Sequence, residues 1–149
     1  CNQSTIKDDI DLIRDGQTDK HYYSIEADSV RAVDHFGYSW DIPVSISSLI
    51  YTNGAPQEFG GWFTSFSVEY LEDDTWKTVE NFRTTPAMNL DNTQWLKPAF
   101  MDYTITFPTV TTKGNRISGL SGGIEKDAAN AHLGHQHYTS ISELRVFPD

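Results

Sequence analysis

The chain has 149 residues, 38% hydrophobic and 21% charged, which suits one globular domain with its own core and argues against wholesale disorder. Its formal net charge of −10 repels phosphate backbones and anionic membranes, so nucleic acid is excluded as a partner class, while neutral ligands and cations stay open. The one cysteine rules out an internal disulfide, and no apolar run reaches the length of a membrane-spanning helix.

Taken in chain order, the sequence starts at Cys1 with the polar run "CNQSTIKDD". That start matches a mature bacterial lipoprotein, with the lipid on Cys1. Residues 1–9 would then be a tether and residues 10–149 the domain. The protein would face outward from the cell surface or outer membrane, or into the periplasm, and meet the membrane only through its lipid. Asp8, Asp9, Asp11, Asp15 and Asp19 follow. Taken alone, this cluster reads as a solvated acidic face, because EF-hand spacing is absent.

Long helical periodicity is missing, and short alternating segments recur instead. "SWDIPVSISSLIY" (39–51) is rich in β-branched residues, and Pro43 inside it marks an edge, a strand start or a bulge. "FTSFSVEYL" sets Phe66, Val68 and Tyr70 against Ser65, Ser67 and Glu69, the period of a half-buried strand. With the turn formers Asp73 and Asp74 and the extended "WKTVENF", residues 63–82 read as a hairpin. "DYTITF" sets Tyr103, Ile105 and Phe107 against Asp102, Thr104 and Thr106. In the last segment Ile141 cannot share a face with Leu144 and Val146 under strict alternation, which predicts a bulge near Ser142-Glu143. Residues 16–37, 53–61, 84–101 and 121–137 read as long polar or Gly-rich loops, and "GIEKDAANAHL" as a possible helical turn. The pattern predicts an all-β fold, an antiparallel sandwich or jelly roll with function on its loops.

Three chemistries present themselves. "GLSGG" at 119–123 matches the G-x-S-x-G nucleophile elbow, with Asp127 and the histidines after it. That elbow needs a parallel sheet with crossover helices, so a Gly-rich turn between strands is the simpler reading. His132, His135 and His137 could ligate zinc in a metal-dependent hydrolase, although no Cys and no H-E-x-x-H accompany them. Sugar binding is the third. Aromatic faces stack on the C–H faces of a sugar, while polar side chains pair with its hydroxyls. "NGAPQEFGGWF" carries Phe59 and Trp62 beside Asn53 and Glu58, residues 19–26 carry Tyr22 and Tyr23, and His132, His135 and His137 supply donors.

"IRDG" (13–16), "GGWFTSFSVEYLEDDTWKTVENFRTTP" (60–86), "DYTITFPTVTTKGNRI" (102–117) and "RISGLSGG…TSISELRVF" (116–147) together resemble the factor 5/8 type C (discoidin) domains. The closest likeness is to the branch attached to bacterial carbohydrate-active enzymes. The resemblance implies a galactose-binding-like β jelly roll that is mostly non-catalytic and binds glycan through loops at one end, with glycan-degrading enzymes as neighbours. It also implies one structural calcium. Asp15 would ligate through its side chain, with Leu12 and Gln17 beside it. Glu143 would be the distant acidic ligand, with the Ser142 carbonyl next to it. Lys20 stands near a place where the family often has Thr or Ser. The expected function is a non-enzymatic carbohydrate-binding module. The rivals are a protein-binding adhesive module on the same fold and the His-cluster hydrolase.

Overall fold

A computed structural model describes residues 22–23, 33–56, 60–92, 98–124 and 136–149, and among these every regular element is a strand. In chain order they are β1 (Tyr22–Tyr23), β2 (Val33–Thr52), β3 (Gly60–Phe63), β4 (Ser67–Glu72), β5 (Thr75–Thr78) and β6 (Arg83–Thr85). β7 (Asp102–Ile124), β8 (Gln136–Tyr138), β9 (Ser140–Ile141) and β10 (Glu143–Pro148) follow.

Two long strands organise the molecule. β2 and β7 pair antiparallel in two stretches, residues 33–39 with 114–120 and residues 44–52 with 102–112. Between them the register breaks, so residues 40–43 stand opposite Lys113 alone. Pro43 lies in that corner, where a residue without a backbone N–H interrupts no ladder. The first stretch continues through β4 to β5, and the second is flanked by β10 and β6. The two stretches face each other. Phe36, on the first half of β2, and Tyr51, on the second, both touch Phe63, with ring centroids 6.4 and 5.8 Å apart. Tyr51 also lies 5.9 Å from Phe66 and 6.0 Å from Tyr103. The core is therefore the filling of a two-sheet sandwich, as the alternation predicts.

Local sequence explains much of this. Tyr103, Ile105 and Phe107 are buried and Asp102, Thr104 and Thr106 are exposed, as period-2 reading requires. The hairpin is β4–β5, with Glu72 opposite Thr75. Asp73 and Asp74, at φ 48° and 62°, form the two-residue connection whose twist suits antiparallel strands. It is shorter than 63–82, because Phe63 belongs to β3 and the chain turns again through Asn81 at φ 58°.

Other boundaries differ from expectation. β2 begins inside the stretch read as loop 16–37, and β7 runs through "GLSGG" to Ile124. That segment is neither an elbow nor a turn, and Ser121 is buried within the strand. Its glycines answer to neighbours across the sheet. A Cβ on Gly119 would come 2.0 Å from the Ser65 carbonyl oxygen, and one on Gly122 would come 2.0 Å from the Trp62 Nε1. Near Ser142 the chain changes partner rather than bulging within one ladder. Ile141 pairs with Tyr22, the Ser142 N–H donates to the Thr52 carbonyl, and Glu143 opens the pairing with β2. Ile141 and Leu144 can thus both be buried.

Candidate functional site

The end of the sandwich reached by Thr52, Asp102 and Ile124 gathers most of the describable sequence candidates. There β7 pairs with β3 on one side, Gly60 opposite Gly123, and with β8 on the other, His137 opposite Gly123. Gly123 has φ 147°, a conformation that suits glycine.

Trp62 forms a wall of this end. It is 5% exposed, its indole lies against Gly122, and its Nε1 donates to Asn92 Oδ1 at 2.8 Å. The expected open stacking platform is therefore not what this residue provides. Asn92 was not signalled by the sequence, yet it ties the region together. Its Oδ1 also accepts from the Gly123 N–H and its Nδ2 donates to the Gly123 carbonyl, both at 2.9 Å. An asparagine in "NLDNT" reads as a turn former, and nothing local reveals a partner on another strand.

Asn53 is likewise committed inward. Its Nδ2 donates to the Pro98 carbonyl and its Oδ1 accepts from the Met101 N–H, each at 2.7 Å, and it is 8% exposed. It holds the turn 98–101 rather than offering its whole amide to a ligand. A cleft of about 20 Å³ lies between Asn53, Trp62, Met88, Asn89, Pro98 and Tyr103. That is room for about one water, so a sugar would lie on the rim and not within. Asn89, Asp91 and Phe100 are exposed at this end.

Behind the cleft is a polar lattice. The Tyr51 hydroxyl donates to the Ser140 carbonyl, the Ser140 hydroxyl to the Gly61 carbonyl and the Thr139 hydroxyl to Asp34 Oδ2, each at 2.7 Å. Burial pushes the Tyr51 hydroxyl far above its ordinary value, and Tyr103 adds to the shift. On the neighbouring sheet face the Thr52 hydroxyl donates to Asp102, and the Arg145 Nη2 lies 3.1 Å from the same carboxylate. The Thr52 hydrogen bond, the largest influence, holds that carboxyl below the usual range, with burial opposing it and Arg145 reinforcing it.

His137 is buried, 3% exposed, on β8. Tyr22 and Tyr23 have their backbones paired with Ile141 and Ser140 of β9. Glu58, Phe59, His132, His135, Leu12, Asp15, Gln17 and Cys1 lie outside the described residues, as does most of the expected helical turn. Ser142 and Glu143 are 0% and 4% exposed. A carboxylate is of the oxygen-donor type that hard cations take, and this one already interacts with other groups of the chain. Among the described residues, no three or more His, Cys, Asp or Glu side chains converge on one point.

Comparison with known proteins places this architecture. No protein-family model matches the sequence, and neither does the sequence of any characterised protein. Structural similarity is extensive. A family 32 carbohydrate-binding module of NanJ from Clostridium perfringens, solved with galactose, superposes with TM-score 0.61 at 16% identity, over 93% of this chain and 84% of the other. The fold is that of the family 32 modules. The module CBM32-3 of a family 31 glycoside hydrolase from the same organism gives 0.63 at 19% identity, over 97% and 85% of the two chains. Chitosan-binding module 1 of the chitosanase/glucanase from Paenibacillus sp. IK-5 gives 0.59 at 15%, over 93% and 84%. The galactose-binding-like jelly roll implied by the discoidin resemblance is thus the observed fold.

Proposed function

We propose that the chain is a non-catalytic carbohydrate-binding module that takes glycan at the loop end built by β3, β8 and the end of β7. The observation that carries this reading is the superposition, over nearly the whole chain, on modules solved with galactose or named for chitosan. The shallow cleft supports it too, since a rim with room for one water suits the outside of a sugar better than a reaction centre. The net charge of −10 narrows the ligand to neutral or amino-bearing glycans, because acidic polysaccharides are repelled.

A structural calcium accompanies the proposal. Glu143 and the Ser142 carbonyl would hold it with Asp15, and Leu12 and Gln17 would complete the oxygen set. Its role would be to fix the N-terminal segment against the closing strand. We also propose an extracytoplasmic setting, where glycan and glycan-degrading enzymes are found together. A single shallow site of this kind binds weakly, so multiple copies on one surface would gain by avidity.

A glycan array carrying neutral, amino-sugar and acidic glycans tests the reading. Binding confined to neutral or amino-sugar ligands is expected. Silence across the array would defeat the sugar reading in favour of a protein-binding module.

A further inference from the structure

The end of the sandwich opposite Trp62 holds a second opening. β2 runs from Val33 to the corner at residues 40–43 and returns to Thr52, and β4 ends at Glu72, beyond the Tyr70–Asn115 pair. The corner, Lys113 and the Asp73-Asp74 turn therefore stand together, away from β3 and β8. Between them lies a cleft of about 360 Å³, against about 20 Å³ at the loop end. Of the two, this one falls within the range of roughly 300–1,000 Å³ that small-ligand sites occupy. Its base is Thr112, 2% exposed. That hydroxyl lies 2.7 Å from the Leu71 and Gly114 carbonyls and accepts from the N–H groups of Leu71 at 3.0 Å and Gly114 at 3.1 Å. The tie holds β4 against β7, so the base is fixed. Glu72, Asp73 and Asp74 line the β4–β5 side, Thr111 and Lys113 the β7 side, and Pro43 and Leu71 add apolar surface. Glu72 pairs with Lys77. Among the described residues, the exposed side chains of Asp73, Asp74 and Lys113 have no hydrogen-bond or ion-pair partner. The carboxylates do not gather on one point as a metal ion requires, since no such group of three occurs among the described residues. Spread along a wall, they suit an organic cation.

We propose that this cleft is a second glycan site, at the end of the fold away from the loops, and that it takes an amino sugar whose protonated amine pairs with Asp73 and Asp74 while Lys113 donates to a neighbouring hydroxyl oxygen. This rests on the carbohydrate reading and adds to it a place and a ligand class. A neutral sugar meets the carboxylates with hydroxyl donors alone. An ammonium makes charge-assisted bonds to them, roughly twice as strong as neutral ones. Pro43 and Leu71 offer apolar surface to the C–H groups of the ring. Sites at opposite ends can be filled together, so one chain would bridge two stretches of polymer and gain by avidity.

The test titrates a trimer of β-1,4-linked glucosamine, and separately its N-acetylated counterpart, into the full chain at mildly acidic pH, which keeps the sugar amine protonated. Backbone amides are followed by NMR at Asp73, Asp74 and Lys113, and at Gly60, Gly122 and Gly123 of the loop end. The glucosamine trimer should shift the first set saturably, and the acetylated trimer should bind there about tenfold more weakly or worse. The double variant Asp73→Asn/Asp74→Asn keeps the turn, because asparagine tolerates the same left-handed backbone. It should weaken binding at the first set about tenfold or more and leave any shifts at the loop end unchanged. Absence of shifts at Asp73, Asp74 and Lys113 would overturn the second site, whether or not the loop end responds. The carbohydrate reading falls only if the glycan array is silent as well. Equal affinity of the two trimers at the first set, or a double variant that binds like the wild type, would overturn the pairing of the amine with the turn.

Discussion

Tyr51→Phe offers a test of the interior behind the site, because two effects of one hydroxyl oppose each other along the pH axis. The hydroxyl is enclosed and donates at 2.7 Å to the Ser140 carbonyl. At neutral pH its removal should cost about 1 kcal/mol, the net value of one buried hydrogen bond. Burial raises the tyrosine pKa from its ordinary 10.0 in the folded chain only. Above that value the unfolded chain releases this proton and the folded chain keeps it. Stability then falls with pH, at a slope approaching about 1.4 kcal/mol per pH unit. The phenylalanine variant lacks this loss. The wild-type advantage of about 1 kcal/mol should therefore vanish near about pH 10.7 and reverse by about 1 kcal/mol near about pH 11.5. Tyr103, also raised by burial, titrates in both proteins and cancels from the difference. Urea unfolding followed by tryptophan fluorescence from about pH 7 to about pH 11.5, at unchanged slope with denaturant, reads the crossing. Stability curves that stay parallel to the top of that range would refute the assignment of a retained proton to Tyr51.

Three further outcomes are expected. Gly122→Ala drives a methyl group to 2.0 Å from the Trp62 Nε1 and should destabilise by about 1–3 kcal/mol; an unchanged melting temperature would mean that the indole does not pack on β7. Asp102→Asn should cost under about 1 kcal/mol, since the ion pair with Arg145 is exposed, and the deficit should fade on acidification. The sign follows from the depressed carboxyl pKa, which adds stability above the ordinary value of 3.8 and loses it as pH falls through the lower folded value. Calcium at about a hundred times its dissociation constant should add about 2.7 kcal/mol of stability, and Glu143→Gln should abolish that gain; a wild-type melting temperature indifferent to chelator would remove calcium from the description.

How much of this was legible in the sequence depended on where the cause of each feature lies. Tyr103, Ile105 and Phe107 declare their face by alternation, and Asp73-Asp74 declares a turn by residue type, so both were readable. The glycines of "GLSGG" could not be read correctly. Glycine is equally the mark of a turn and of a strand against which something packs, and here the Trp62 ring and the Ser65 carbonyl decide, from far away in sequence. Asn53 and Asn92 belong to the same class. Each looks like a polar loop residue with a free amide, and each spends it on backbone of another segment. Trp62 reads from the sequence as an open loop residue and is instead buried, because loop membership does not reveal burial.

β2 and β7 each pass through the corner at residues 40–43 and 113 and serve both sheets. Neither layer can lose its central strands without taking them from the other. Amide protons of the two layers should therefore exchange through one shared opening of the whole domain, with the rim turns exchanging sooner. A ligand held at the rim would draw on that common stability, while changes in the rim itself leave the two spanning strands in place.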